Sequence, residues 1–238
     1  PLHSLAHHPD VLGLMRKALG HSAFPHPLSI LRMVFPQAPE LSTPPHQDYP
    51  NNQGTPNLTA AWIPLGDCPI TAGSIAILEG SNRFGLLPLD FHLGPGNRAA
   101  VLDERLAACR WLASDMQLGD VLLFPALTVH RAMHNLDPER MRLSVDFRFQ
   151  LEGEALTPIC LQPHFACLDW DDVYRDWEST EFQYYWRDKD YQLVPWDEDM
   201  HALPAEHFDR ALAQEIVFGK KIRERYRSLL GGGDGQEA

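Results

Sequence analysis

Two residues that commonly bind metals stand two apart in the proline-rich stretch 44–50, which has the sequence PPHQDYP. In extended backbone the side chains alternate between faces, so His46 and Asp48 would point the same way with Cα atoms roughly 6.5 Å apart. A third ligand from elsewhere in the chain would complete a 2-His-1-carboxylate triad, which leaves positions on iron(II) open for a cosubstrate and oxygen. The same short pattern also occurs in surface turns, where the aspartate caps a backbone amide.

A regular strand pattern follows later in the chain, over residues 141–151. Its odd positions are all apolar and its even positions, from Arg142 to Gln150, are all polar. This period of two predicts a strand with two distinct faces. The polar face could meet solvent, as is usual in antiparallel sheets, or line the interior of a barrel.

His130 favours the interior position for the polar face. It ends an apolar strand and a turn-rich link joins it to residue 141, so we expect the two strands to be neighbours. His130 is the predicted third ligand, and His134 in the turn is its competitor. Arg142 and Ser144 share one strand face and suit a dicarboxylate that chelates the metal at its other end, because the guanidinium fork pairs bidentately with a carboxylate.

The remaining chain predicts a mainly β fold with flanking helices. Apolar spacing indicates a helical region over residues 2–19, interrupted at Pro9 and ending near Gly20. Short strands are predicted over 28–35, 58–65, 74–78, 121–124 and 127–131, separated by proline and glycine. Residues 82–114 look irregular, with a helical piece over 102–111, and are predicted to form a lid. Short strands without αβ alternation predict a sandwich or barrel.

Taken in order, these segments resemble one enzyme family. Over about residues 28–151 the chain resembles the phytanoyl-CoA dioxygenase family of iron(II)/2-oxoglutarate oxygenases. The resemblance is carried by the order of five features: HQD, AWIPLGDC, GSIAILEGS, a distal histidine, and RLS before the alternating strand. The resemblance implies a double-stranded β-helix, a cupin-like jelly-roll. It further implies iron(II) held by His46, Asp48 and His130, with 2-oxoglutarate and O2 as cosubstrates, Arg142 on the 2-oxoglutarate C5 carboxylate and Trp62 lining that pocket.

Some assignments within this resemblance have rivals. Arg140 competes with Arg142 for the C5 carboxylate, and Arg142 is chosen because RLS reproduces the Arg-x-Ser clamp of related oxygenases. Trp62 could equally be a core aromatic. The chain departs from relatives at Ala132, where some place a hydroxyl, and at Asn82 within GSN, where GSH is commoner. Neither change removes a predicted metal ligand.

Composition limits the partners. A net charge of −12 over 238 residues argues against a broad nucleic-acid surface, and no apolar run is long enough to span a membrane. The four cysteines lack CxxC spacing, which favours reduced thiols in a cytoplasm.

We expect one oxygenase domain over residues 1–230, with its β core over about 28–151 and an aromatic, helical region over 152–230. An amphipathic helix over 204–230 could pack on the barrel or on a second subunit, and residues 231–238 should be disordered.

The activity that the resemblance implies is hydroxylation of an unactivated C–H bond in a small molecule, with release of succinate and CO2. Because Asp48 supplies a carboxylate ligand, no position is left for the chloride that halogenating relatives bind, so hydroxylation is favoured over halogenation. Two alternatives remain at this point: a cupin-like metalloenzyme that does not use 2-oxoglutarate, and a non-catalytic binding protein on the same scaffold.

Overall fold

A computed structural model of the chain describes residues 2–91, 98–164 and 168–201. Helices within these ranges are short: α1 (Leu2–Ala6), α2 (Pro9–Ala18), α3 (Tyr49–Asn52) and α4 (Trp170–Tyr174). The strands are β1 (Ala23–Val34), β2 (Thr59–Pro64), β3 (Ile75–Leu78), β4 (Leu89–Phe91), β5 (Arg98–Ala100), β6 (Trp111–Ala113), β7 (Leu122–Pro125), β8 (His130–Ala132), β9 (Arg142–Leu151), β10 (Ala155–Leu156) and β11 (Gln192–Leu193).

Two antiparallel sheets make up the core. The larger has the order β1-β9-β2-β7 and the smaller has the order β6-β3-β8. Their inner faces meet: the rings of Phe124 on β7 and His130 on β8 have centroids 4.5 Å apart, and Trp62 packs with Ile75. This is the double-stranded β-helix that the resemblance implied. β4 and β5 form a separate hairpin, and β10 pairs with β11 in parallel.

Strand β9 separates the helices from the barrel interior. Its apolar side chains Val145, Phe147 and Phe149 are fully buried and pack with Val11 and Met15 of α2. Burying one such side chain stabilises the fold by about 1.5–3 kcal/mol. Because the helices cover this face, the polar face turns inward, and all five polar side chains from Arg142 to Gln150 are buried. The interior position predicted for the polar face is the one the structure has.

The edge strand β1 is longer than predicted. It begins at Ala23 rather than at Leu28 and contains Pro25 and Pro27, and its register against β9 shifts between Pro25 and Ser29. Proline cannot donate a ladder hydrogen bond, so it is tolerated on an edge strand and at an irregularity. β1 has both features.

Three other sequence predictions about the fold are wrong. β8 is not the neighbour of β9, because it pairs with β3 in the opposite sheet. The helical piece over 102–111 is a single 3-10 turn, Glu104–Leu106, and Trp111 then starts β6, since its partner β3 satisfies the backbone there. Between residues 168 and 201, the region predicted to be helical has one short α-helix, α4, which ends at Tyr174 and is followed by 3-10 turns and the strand β11.

The residues around α4 form a cluster of aromatic side chains instead of a long helix. Trp170, Tyr174 and Trp186 are buried together, and the cluster reaches α1 through His3, whose ring is 5.2 Å from that of Trp177. Large rings bury more area in such a cluster than one face of a short helix offers. The C-terminal segment therefore packs on the N-terminal helices.

Some predictions fall outside the described residues, namely the helix over 204–230 and the tail 231–238. Cys68, Cys109 and Cys160 are free thiols. In the part of the chain that the structure covers, no helix has the length and apolar character needed to cross a bilayer.

Candidate metal centre

The structure brings His46, Asp48 and His130 together inside the barrel. Asp48 Oδ1 lies 3.9 Å from His46 Nε2 and 3.8 Å from His130 Nε2, and one potential ligand atom from each residue falls within 4.8 Å of the others. All three residues are at most 5% exposed. A single ion could contact all three atoms after small side-chain movements, since metal–ligand bonds to these groups are roughly 2.0–2.2 Å long.

The local conformation of the His46/Asp48 pair differs from the extended strand that was predicted. His46 forms an isolated antiparallel bridge with His130, whereas Asp48 has helical backbone angles and directly precedes α3. The N–H groups of Asp48 and Tyr49 both donate to the carbonyl of Ala126, at 2.9 and 3.1 Å. Pro50 lies in the first turn of α3, where its missing N–H costs nothing. A bridge followed by a helical turn thus aims both side chains at one point.

Gln47 holds this turn from the opposite side and was missed in the sequence. Its Nε2 donates to the carbonyls of Leu127, at 2.7 Å, and Gly85, at 2.9 Å. Its Oε1 accepts from the N–H of Leu87 at 2.9 Å. The only signal in the sequence for this role of Gln47 was its position between the two predicted ligands, His46 and Asp48.

Both histidines are held in the tautomer that a metal requires. Nδ1 of His46 is 2.8 Å from the carbonyl of Pro44, and Nδ1 of His130 is 3.0 Å from that of Thr128. A carbonyl only accepts hydrogen bonds, so each Nδ1 must carry the proton. Each Nε2 therefore presents a lone pair towards Asp48.

The charge states fit the same picture. Burial lowers the pKa of His46 to about 3 and also lowers that of His130, so both rings are neutral at neutral pH. Burial alone would raise the pKa of Asp48, but the charge of Arg148 helps to bring it well below its usual range. Two neutral imidazoles and one carboxylate form the donor set of the facial triad.

Arg148 is the second residue that the sequence did not assign to the site. Its Nη2 lies 2.9 Å from Asp48 Oδ2, closer than the 3.9 Å that separates it from Asp146 Oδ2. Asp146 forms its own ion pair with Arg32 on β1. The carboxylate nearest to Arg148 is therefore that of Asp48.

A second polar group lies on β9 at the other end of the same inner face. The Nε of the buried Arg142 donates to the carbonyl of Gly73 at 2.9 Å and its Nη1 donates to Ser144 Oγ at 2.5 Å. The guanidinium carbon is 5.4 Å from the centre of the Trp62 ring. Gly73 has φ +84°, and a Cβ there would lie 3.0 Å from the carbonyl oxygen of Met133, so glycine suits this position.

Arg142 is a buried cation, and none of the described carboxylates pairs with it. Burial lowers its pKa to about 10, which leaves it charged at neutral pH. Across residues 2–91, 98–164 and 168–201, no carboxylate oxygen forms an ion pair with it within 4.0 Å. A buried charge is costly unless it is paired, so this arrangement favours an anionic ligand.

The structure does not bring the two rival residues to the site. Arg140 precedes β9, is exposed and forms an ion pair with Asp137 at 2.8 Å. His134 is also exposed.

A double-stranded β-helix with two histidines and an aspartate on its inner face is the architecture of non-haem iron oxygenases. The comparisons with known proteins identify the family: the sequence model of phytanoyl-CoA dioxygenase (PhyH) matches residues 2–142, and the chain belongs to this family.

Individual relatives agree with this membership. The chain is 34% identical over 171 residues to a 1-deoxypentalenic acid 11-beta-hydroxylase from Streptomyces arenae, covering 65% of this chain and 60% of that protein. The chain thus spans about three fifths of the length of this relative.

Solved structures show the same fold. The epimerase SnoN, in complex with Fe3+, alpha ketoglutarate and nogalamycin RO, matches with a TM-score of 0.52 and 24% identity, over 65% of this chain and 60% of that chain. The apo form of ThoJ, described as a non-heme monooxygenase, matches with a TM-score of 0.50 and 14% identity, over 94% of this chain and 76% of that chain.

Proposed function

We propose that this chain is an iron(II)- and 2-oxoglutarate-dependent dioxygenase that hydroxylates an unactivated C–H bond of a small molecule. The observation that carries the proposal is the convergence of His46 Nε2, His130 Nε2 and Asp48 Oδ1 at one buried point, on the same interior as an arginine without a carboxylate partner among the described residues. Family membership supports the same reaction class.

Each residue has a role in this proposal. His46, Asp48 and His130 hold iron(II) through two neutral imidazoles and one carboxylate. Arg142 and Ser144 bind the far carboxylate of 2-oxoglutarate, and Trp62 forms a wall of that pocket beside the guanidinium. With O2, the iron and 2-oxoglutarate together supply an oxidant for C–H hydroxylation, with release of succinate and CO2.

The protein itself contributes orientation and the exclusion of water. Pro44 and Thr128 fix the tautomers of the two histidines, and burial keeps bulk solvent away from all three ligands. A low dielectric around the site strengthens the pairing of Arg142 with a carboxylate. The carboxylate of Asp48 takes the coordination position that a halogenating enzyme would leave for chloride, so hydroxylation is the proposed outcome.

The substrate is proposed only as a class. The hydroxylase relative is named for a carboxylic acid, and the candidate metal site lies on a buried, polar inner face of the barrel. The net charge of −12 is unsuited to a nucleic-acid partner. The N-terminal helices pack on the β core and contact the aromatic cluster, which supports a single oxygenase domain.

Anaerobic titration with 2-oxoglutarate tests the proposal directly. We expect the iron(II) protein to develop a visible charge-transfer band as 2-oxoglutarate chelates the metal. A cupin-like metalloenzyme that does not use 2-oxoglutarate would bind iron without this band, and a binding protein without a metal would give neither.

A matched pair of variants tests the assignment in turnover. With O2 present, Asp48→Ala should abolish succinate formation from 2-oxoglutarate while the circular dichroism spectrum stays unchanged. Asp103→Ala removes a carboxylate that pairs with Arg105 at the surface and should leave succinate formation intact. Full activity of Asp48→Ala would end the assignment.

A further inference from the structure

The two oxygens of the Asp48 carboxylate have different neighbours. Oδ1 faces His46 Nε2 and His130 Nε2 at 3.9 and 3.8 Å, whereas Oδ2 is 2.9 Å from Arg148 Nη2. Asp48 and Arg148 are only 2% and 4% exposed. Because water has little access to either group, solvent competes little for this contact.

We propose that Arg148 is a positioning residue that occupies Oδ2 of Asp48 and restricts this carboxylate to binding the metal through Oδ1 alone. The inference rests on the proposed function. A carboxylate that binds through one oxygen leaves three of six octahedral positions open, which 2-oxoglutarate and O2 require. Binding through both oxygens would fill one of those positions.

The elements around Arg148 keep it in place. It lies on β9, between β1 and β2, and its cross-strand partner on β2 is Ala60, whose methyl group leaves space for the long side chain. Asp146, two residues earlier on the same inward face, lies 3.9 Å from Arg148 Nη2. Arg148 is thus flanked by two carboxylates, and its charge holds it between them.

The charges extend from the candidate metal site to the edge of the sheet with alternating sign. Arg32 on β1 pairs with Asp146, Asp146 lies beside Arg148, and Arg148 pairs with Asp48. The side chain of Arg32 is 29% exposed, so this end of the row meets solvent. Each buried charge has an opposite neighbour, and loss of one would leave the next unpaired. The row therefore resists rotation of the Asp48 carboxylate.

Metal affinity alone would not reveal this role. Removal of Arg148 takes a positive charge away from the cation, which strengthens binding, but it also releases the carboxylate, and loss of such an outer partner weakens binding by about 10–100-fold. The two effects oppose each other. The number of positions left for water on the metal depends on how many Asp48 oxygens bind and is the quantity to measure.

Manganese(II) is a suitable probe, because broadening of its electron paramagnetic resonance lines by 17O-water reports the number of bound waters. The protein loaded with Mn(II) and without 2-oxoglutarate should hold three waters. Arg148→Met keeps the approximate length of the side chain but carries no charge, and it should hold two. Arg148→Lys restores the positive charge and should return to three. Arg105→Met, which removes an exposed arginine paired with Asp103, should match the parent protein.

The outcomes separate the failure of this inference from that of the proposed function. Three waters in Arg148→Met would overturn the positioning role while leaving the metal centre intact. Two waters in the parent protein would also overturn it, and this measurement does not depend on the folding of any variant. A parent protein that fails to bind Mn(II) and iron(II) would instead overturn the metal centre, and the inference with it.

Discussion

His46 and His130 face each other across an antiparallel bridge in which each backbone N–H donates to the carbonyl of the other, at 2.9 and 3.0 Å. Their rings lie with centroids 4.1 Å apart. The two histidines are thus fixed by paired backbone and not by the tip of a loop. Such a bridge places two imidazoles side by side before any metal binds, which reduces the ordering cost of binding.

Replacement of one of these histidines should remove the metal site. Since loss of an outer partner alone weakens metal binding by about 10–100-fold, His130→Ala, which loses a direct ligand, should weaken binding by about 100-fold or more. Anaerobic calorimetric titration with iron(II) measures this. His134→Ala changes the exposed rival and should bind iron like the parent protein. The opposite result would make His134 the third ligand.

Arg142 should determine the affinity for 2-oxoglutarate. Loss of one partner of a buried charge pair costs about 2–5 kcal/mol, so Arg142→Met should weaken binding of 2-oxoglutarate by roughly 30-fold or more. The charge-transfer band of the anaerobic iron(II) protein gives the dissociation constant. Arg140→Met removes the neighbouring exposed arginine and should leave this constant unchanged. If Arg140→Met weakened 2-oxoglutarate binding and Arg142→Met did not, Arg140 would be the residue that binds the C5 carboxylate.

Gln47 should stabilise both the fold and the site. Gln47→Leu keeps the size of the side chain but leaves two carbonyls and one N–H without their partners in a buried region. Unpaired buried groups cost about 1–3 kcal/mol each, and partial relaxation should leave a loss of about 3 kcal/mol in the free energy of unfolding. Urea denaturation measures this loss. Gln117→Leu, at an exposed position, should change stability by less than about 0.5 kcal/mol.

The sequence was sufficient for features that depend on local patterns. The alternation along β9 identified its two faces, and the order of the HQD and RLS segments identified the family. Features that depend on distant partners were not accessible. The conformation of His46 depends on a bridge to His130, and the partner of Arg148 is a carboxylate on a different element. Equally, the ends of β1 and α4 are set by edge pairing and aromatic packing, which local propensity does not describe.

His26 predicts how stability depends on pH. Its Nε2 is 2.7 Å from Gln150 Oε1 in the barrel interior, and burial lowers its pKa from 6.5 to about 4. In the unfolded chain His26 is therefore protonated below about pH 6.5, whereas in the folded protein it is protonated only below about pH 4. The stability associated with the neutral ring is complete above pH 6.5 and is lost as the pH falls towards 4, by about 3 kcal/mol in total.

A variant that cannot titrate isolates this contribution. His26→Gln can still donate a hydrogen bond to Gln150 but carries no charge at any pH. Between pH 7 and pH 5 the parent protein should lose about 2 kcal/mol more than His26→Gln in the free energy of unfolding, measured by urea denaturation at each pH. His134→Gln, which changes an exposed histidine, should follow the parent protein. An identical pH dependence of the parent and His26→Gln would show that the folded protein protonates His26 as readily as the unfolded chain does.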